Sequence, residues 1–107
     1  FDGIVWGRKT VDIPEQWEGK PLSLHMGYVD DEDITYFNGI EIGSTKGYTR
    51  SRTYEIPGNL VKAGKAVITV RIVDTGGGCG IGGEMKLSKD VGDWILISGE
   101  WKCKVAA

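Results

Sequence analysis

The chain has 107 residues, 26% charged and 40% hydrophobic, with a formal net charge of -2. That suits one domain around one core and leaves no uninterrupted apolar run of about 18 residues to span a bilayer. Thirteen Lys and Arg against fifteen Asp and Glu make no polyanion footprint, so neither nucleic acid nor membrane is an expected partner.

Taken in chain order, Val5 to Val11 reads as the first strand. Leu22, Leu24, Met26 and Tyr28 then alternate with Ser23, His25 and Gly27, the two-residue period of a half-buried strand. Ile34 to Phe37 and Ile40 to Ile42 flank Asn38-Gly39, the dipeptide suited to a type I′ hairpin turn because both central residues need positive φ. Arg52 to Ile56 is the next strand, and Pro57 to Lys62, closed by Gly64, could form a single helical turn. Val67 to Val73 is β-branched almost throughout and reads as a central strand buried on both faces. Glu84 to Leu87, Trp94 to Ile97 and Glu100 to Val105 complete the series. With turns every eight to twelve residues and no helix-length crossover, the expected fold is an all-β antiparallel sandwich of eight or nine short strands, one domain over residues 1–107.

Four stretches invite a chemical reading. Gly78, Gly80 and Gly83 have the spacing of a dinucleotide fingerprint, but Glu84 to Leu87 continues as a strand, so no helix N-terminus is there to receive a pyrophosphate. The run Asp74-Thr75-Gly76-Gly77-Gly78-Cys79-Gly80 is instead expected to be a loop of close backbone approach, packing on its own sandwich or a neighbouring domain, or lining a site. Asp30, Asp31, Glu32 and Asp33 gather carboxylates that could ligate calcium, but the EF-hand positions are missing and solvated loop charges are commoner. Gly47 to Arg52 carries an aromatic and two guanidinium groups, types that stack on a sugar face and pair with a carboxylate. Tyr48, Arg50 and Arg52, with Trp17 if it is exposed, are therefore the glycan-binding candidates, while Trp6, Trp17, Trp94 and Trp101 are expected rather in core or interdomain packing.

No catalytic residue is assigned. His25, the only histidine, is expected on the face opposite Leu24 and Met26 with no nucleophile motif beside it, and no Gly-x-Ser-x-Gly occurs. Cys79 and Cys103 lack the paired spacing of a zinc site, and whether they bridge depends on a distance that sequence does not supply. No cofactor and no metal are expected.

Phe1 to Val11, Ile13-Pro14-x-x-Trp17-x-Gly19-Lys20, Val29-Asp30-Asp31-x-Asp33 leading to Phe37-Asn38-Gly39, and Ile42-Gly43 together resemble the sugar-binding β-sandwich of glycoside hydrolase family 2. Tyr54-x-Ile56-Pro57, Val61-Lys62-Ala63-Gly64 and Asp74-Thr75-Gly76-Gly77-Gly78 resemble more closely the related sandwich inserted in sialate O-acetylesterases. The likeness runs from residue 1 to about residue 88. It implies a galactose-binding-like jelly roll packed beside a Ser-Gly-Asn-His type hydrolase domain that removes O-acetyl groups from sialosides or similar glycans. The catalytic Ser and His of such an enzyme belong to that other domain, and neither of its Gly-Gln-Ser-Asn and Asp-x-x-His blocks matches a position here. The family also implies a secreted or periplasmic bacterial protein. The chain is thus expected to be an excised, non-catalytic accessory sandwich of a carbohydrate esterase, packing on the hydrolase domain and contacting glycan. The alternatives are an independent carbohydrate-binding module and a structural spacer.

Overall fold

The computed structural model describes residues 3–29, 32–47, 51–74, 81–82, 84–97 and 101–106. Ten strands run β1 (Gly3–Ile13), β2 (Leu22–Val29), β3 (Glu32–Phe37), β4 (Ile40–Lys46), β5 (Ser51–Ile56), β6 (Gly64–Asp74), β7 (Ile81–Gly82), β8 (Lys86–Asp90), β9 (Asp93–Leu96) and β10 (Lys102–Ala106). They form two antiparallel sheets, one in the order β10-β1-β6-β3-β4 and the other β5-β2-β8-β9, with β7 paired to β2 beyond β8. The all-β sandwich is as expected, and the two-residue β7 is an addition to the predicted series.

Alternation explains the layers. Leu22, Leu24 and Met26 of β2 face the buried Ala66, Ile68, Val70 and Ile72 of β6 across the interior, joined by Phe37, Ile56, Leu87 and Val5 in one core. Central placement of β6 between β1 and β3 matches the sequence reading, but burial on both faces does not hold. Val67, Thr69, Arg71 and Val73 are only half-buried, because they project from the outer face of the five-stranded sheet, away from the second sheet. β-branched character sustains the strand on either face, so composition alone could not separate the two cases.

Two short 3-10 turns, Glu15–Trp17 and Gly58–Leu60, stand where the chain passes between strands. The second is the single turn expected after Pro57. Lacking a strand's alternation to signal it, the first places Trp17 wholly inside the core, with its indole N–H donating to Asp93 Oδ2 at 2.9 Å. The Asn38-Gly39 hairpin has φ of 48° and 84° at its two central residues, as the type I′ geometry requires. Just beyond it the β3–β4 register skips Ile42, pairing Thr35 with Gly43 and Tyr36 with Glu41. The skip brings Gly43 against the ring of Tyr54, where a Cβ would overlap the aromatic carbons.

Candidate functional site

Asp33 of β3 belongs to one sheet; Arg52 and Tyr54 of β5 belong to the other. Strand alternation turns Asp33, Thr35 and Phe37 inward, and likewise Arg52, Tyr54 and Ile56. The two sets meet where β4 and β5 approach. Arg52 Nε donates to Asp33 Oδ1 at 2.7 Å, with both side chains fully buried. Thr35 Oγ1 and the Tyr54 hydroxyl each donate to Asp33 Oδ2 at 2.7 Å. Since Tyr54 has given its one hydrogen to Asp33, Thr45 Oγ1, 2.8 Å away, donates to Tyr54. Burial, above all, together with the neighbouring Asp33 charge pushes the Tyr54 phenol above its ordinary value, against a smaller opposing pull from Thr45.

This cluster decides where two expected site residues stand. Arg52 is 1% exposed and cannot reach a glycan; its alternation with Tyr54 and Ile56 buries it. Asp33 is 0% exposed and already accepts from Arg52, Thr35 and Tyr54, so its oxygens are committed and it does not project with Glu32, which alternation puts on the opposite face. Among the described residues no group of three or more His, Cys, Asp or Glu is placed to hold a metal ion. Trp17, a glycan candidate only if exposed and otherwise expected in core or interdomain packing, is 0% exposed, because it plugs the core between the sheets. Tyr48 and Arg50, on the connection between β4 and β5, lie outside the described residues, as do Asp30, Asp31, Gly76, Gly77, Gly78, Cys79 and Gly80. Asp74 ends β6. Cys103 is disulfide-bonded, and the sequence contains one other cysteine, Cys79.

The outer face of the sheet built on β5-β2-β8-β9 carries the groove that sequence reasoning missed. Ser23 and His25 of β2, Lys86, Ser88 and Lys89 of β8 and Trp94 of β9 line a hollow of about 340 Å³. Trp94 is 46% exposed, with the Lys86 ammonium 5.1 Å from its ring centroid, a cation–π pairing that fixes the indole as a flat platform. Lys89 reaches Asp90 at 3.0 Å. That contact holds the Lys89 ammonium above its ordinary range and the Asp90 carboxyl below its own, the Gly92 amide adding to the latter. Alternation of Trp94 with Ile95 was the available signal: it sends one side chain outward and the next into the core.

His25 stands in this groove with Nε2 3.1 Å from Ser88 Oγ and Nδ1 3.4 Å from Thr53 Oγ1. A serine beside a histidine is the beginning of a nucleophile pair, but among the described residues the rest of the machinery is not assembled around it. The third group is a threonine hydroxyl, which does not stabilise an imidazolium as a carboxylate does. The Ser88 backbone is paired on both sides, to Ser23 and to Trp94, so it presents no free amide to an oxyanion. The histidine on the face opposite Leu24 and Met26 is where the alternation put it.

No family model matches the chain, and no curated protein matches it. Among solved structures the chain is similar to β-glucuronidases. One from an uncultured Clostridium sp. has 27% identity and a TM-score of 0.59 over 66% of this chain and 12% of that one. Ruminococcus gnavus β-glucuronidase has 25% identity and a TM-score of 0.63 over 69% and 13%. β-D-Glucuronidase of Dictyoglomus thermophilum has 25% identity and a TM-score of 0.63 over 70% and 13%. The aligned part is therefore about an eighth of those chains' length. These neighbours support the glycoside hydrolase family 2 sugar-binding type of sandwich and give no support to a sialate O-acetylesterase. Among the described residues no helix is long and apolar enough to cross a membrane.

Proposed function

We propose that this chain is a non-catalytic accessory β-sandwich of a larger carbohydrate-active hydrolase, packing against its catalytic domain and contacting glycan. The carrying observation is the likeness of 66% to 70% of the chain to 12% to 13% of three β-glucuronidases. A hydrolase of that kind keeps most of its length outside the sandwich. For the parent, the sequence resemblance of Tyr54-x-Ile56-Pro57 and Asp74 to Gly78 favours a sialate O-acetylesterase, whereas the structural neighbours favour a glycosidase; the sandwich has the same role in either. Tyr48 and Arg50 are the proposed glycan contacts on the β4–β5 connection, and Asp74 to Gly80 the proposed interdomain loop. A secreted or periplasmic location is part of the proposal, supported by the disulfide at Cys103, since such bonds persist in oxidising compartments.

The test is turnover of p-nitrophenyl acetate and p-nitrophenyl β-glucuronide by the 107-residue chain. No rate above buffer is expected. Hydrolysis abolished by Ser88→Ala or His25→Ala would overturn the accessory reading. A second reading, an independent carbohydrate-binding module, is favoured by the Trp94 platform with Lys86 over it. Calorimetry with neutral galactosides separates the two: heat lost on Trp94→Ala supports the module, and no heat with any of them counts against it.

A further inference from the structure

The outer face of the β10-β1-β6-β3-β4 sheet holds a different kind of surface. Register places Trp6 between Lys104 of β10 and Arg71 of β6, and Arg8 between Lys102 of β10 and Thr69 of β6. Four of the chain's thirteen Lys and Arg thus ring one tryptophan. Trp6 is 37% exposed and its ring lies 6.1 Å from that of Tyr36, tilted by 32°. Along β1 and β10 run two adjoining hollows of about 360 and 320 Å³, both lined by Arg8 and Lys102, each in the size range of small-ligand sites.

Arg8 and Lys102 are directly opposed across the β1–β10 pair. Like charges directly opposite on a sheet are destabilising, and among the described residues Arg8, Arg71, Lys102 and Lys104 form no salt bridge. An acidic chain that concentrates uncompensated cations around a half-exposed aromatic pair has a local conflict which an anionic ligand would relieve. We infer that this face, centred on Trp6, Arg8 and Lys102, binds a carboxylate-bearing oligosaccharide, one sugar stacked on Trp6 and Tyr36 and its carboxylate held between Arg8 and Lys102.

Two other occupants fit the observations less well. Lysine is depleted from protein interfaces, yet Lys102 and Lys104 supply two of the four cations around Trp6. Nucleic-acid-binding domains are strongly basic, whereas this chain carries a net charge of -2 and a sequence pI near 5.3. Arg8's planar fork matches a carboxylate, and a flat aromatic matches the apolar face of a pyranose. The inference stands apart from the accessory reading, because it concerns another face and needs no hydrolase domain beside it.

Calorimetry of the 107-residue chain with trigalacturonate, at low and at high salt, tests it. Binding is expected, weakening with salt, and absent for the methyl-esterified trisaccharide of the same shape. Arg8→Gln and Lys102→Gln, both on exposed side chains, should each weaken binding by about tenfold or more, the loss of one hydrogen bond to a charged group. Trp6→Ala should do the same, and Lys62→Gln, which removes an exposed cation outside both hollows, should change nothing. Equal binding of the methyl ester, tighter binding of a single-stranded RNA oligomer, or unchanged affinity in Arg8→Gln would each overturn the inference. Retention of the wild-type circular dichroism by the variants separates lost binding from lost fold.

Discussion

Two groups of charges in this sandwich follow opposite rules. At the β3–β5 end, Asp33 and Arg52 are buried, oppositely charged and joined through a hydrogen-bonded set that crosses from one sheet to the other. At the β1–β10 edge, Arg8 and Lys102 are exposed, like-charged and face each other. Burying a charge is costly unless its partners meet it, so the interior tolerates only a completed network. Water screens an exposed pair, so the surface tolerates an incomplete one. Completed charges report on architecture, and uncompleted ones on what the surface is built to meet.

Breaking the inner group has the largest expected effect. Arg52→Ala leaves the Asp33 carboxylate buried without its cation, which should cost about 3–5 kcal/mol in urea-denaturation stability. Replacing the pair by apolar residues, Arg52→Met with Asp33→Leu, should recover most of that loss. A single variant unfolding at the wild-type midpoint would mean that the bridge holds nothing. Next comes the edge: Cys103→Ser removes the disulfide that fastens β10, which among the described residues pairs with β1 alone, and should cost about 2–4 kcal/mol. Wild-type protein under a strong thiol reductant should melt with the variant, and a difference that survives reduction would show another cause.

Tyr54 sharpens the comparison through pH. Its folded phenol lies above the ordinary value of 10.0, chiefly through burial. Below that value the group is protonated in folded and unfolded chains alike, so its contribution is complete. Above it the unfolded chain releases the proton while the folded chain keeps it, and stability falls as pH rises, by up to about 1.4 kcal/mol per pH unit. Tyr54→Phe should start less stable, by about 1.5–3 kcal/mol for the lost hydrogen bond to the Asp33 carboxylate, but should decline less steeply above pH 10.0. Parallel curves for the two proteins would show that the phenol ionises as freely folded as unfolded.

The strands were readable from sequence because alternation is a local signal. Leu22, Leu24 and Met26 point inward in β2, and Asn38-Gly39 turns the hairpin. The inner charges were misread because neighbours in sequence suggested their setting: Asp33 follows three acids, and Arg52 follows a polar loop. The same period-two pattern that placed Leu24 would have placed Arg52 beside Tyr54 and Ile56, and Asp33 beside Thr35 and Phe37. Trp17 sits in a 3-10 turn, where no such alternation exists to give its direction. The basic edge was unreadable for another reason. Opposing Arg8 to Lys102 requires the pairing of the first strand with the last, and no short-range pattern carries a register between strands so distant.

The smallest expected effect discriminates most sharply between the two groups. If Arg8 and Lys102 oppose each other without compensation, deleting one should not destabilise the protein. Lys102→Ala should leave stability unchanged or raise it by a few tenths of a kcal/mol, the scale of a cross-strand pair. That gain should appear at low salt and fade at high salt, because screening relieves the wild-type repulsion over about a Debye length. Thermal melting at two ionic strengths measures it: the wild type should gain more from salt than the variant. A fall in stability at low salt would mean that Lys102 already has an anionic partner in the folded chain, and the edge would then obey the same rule as the interior.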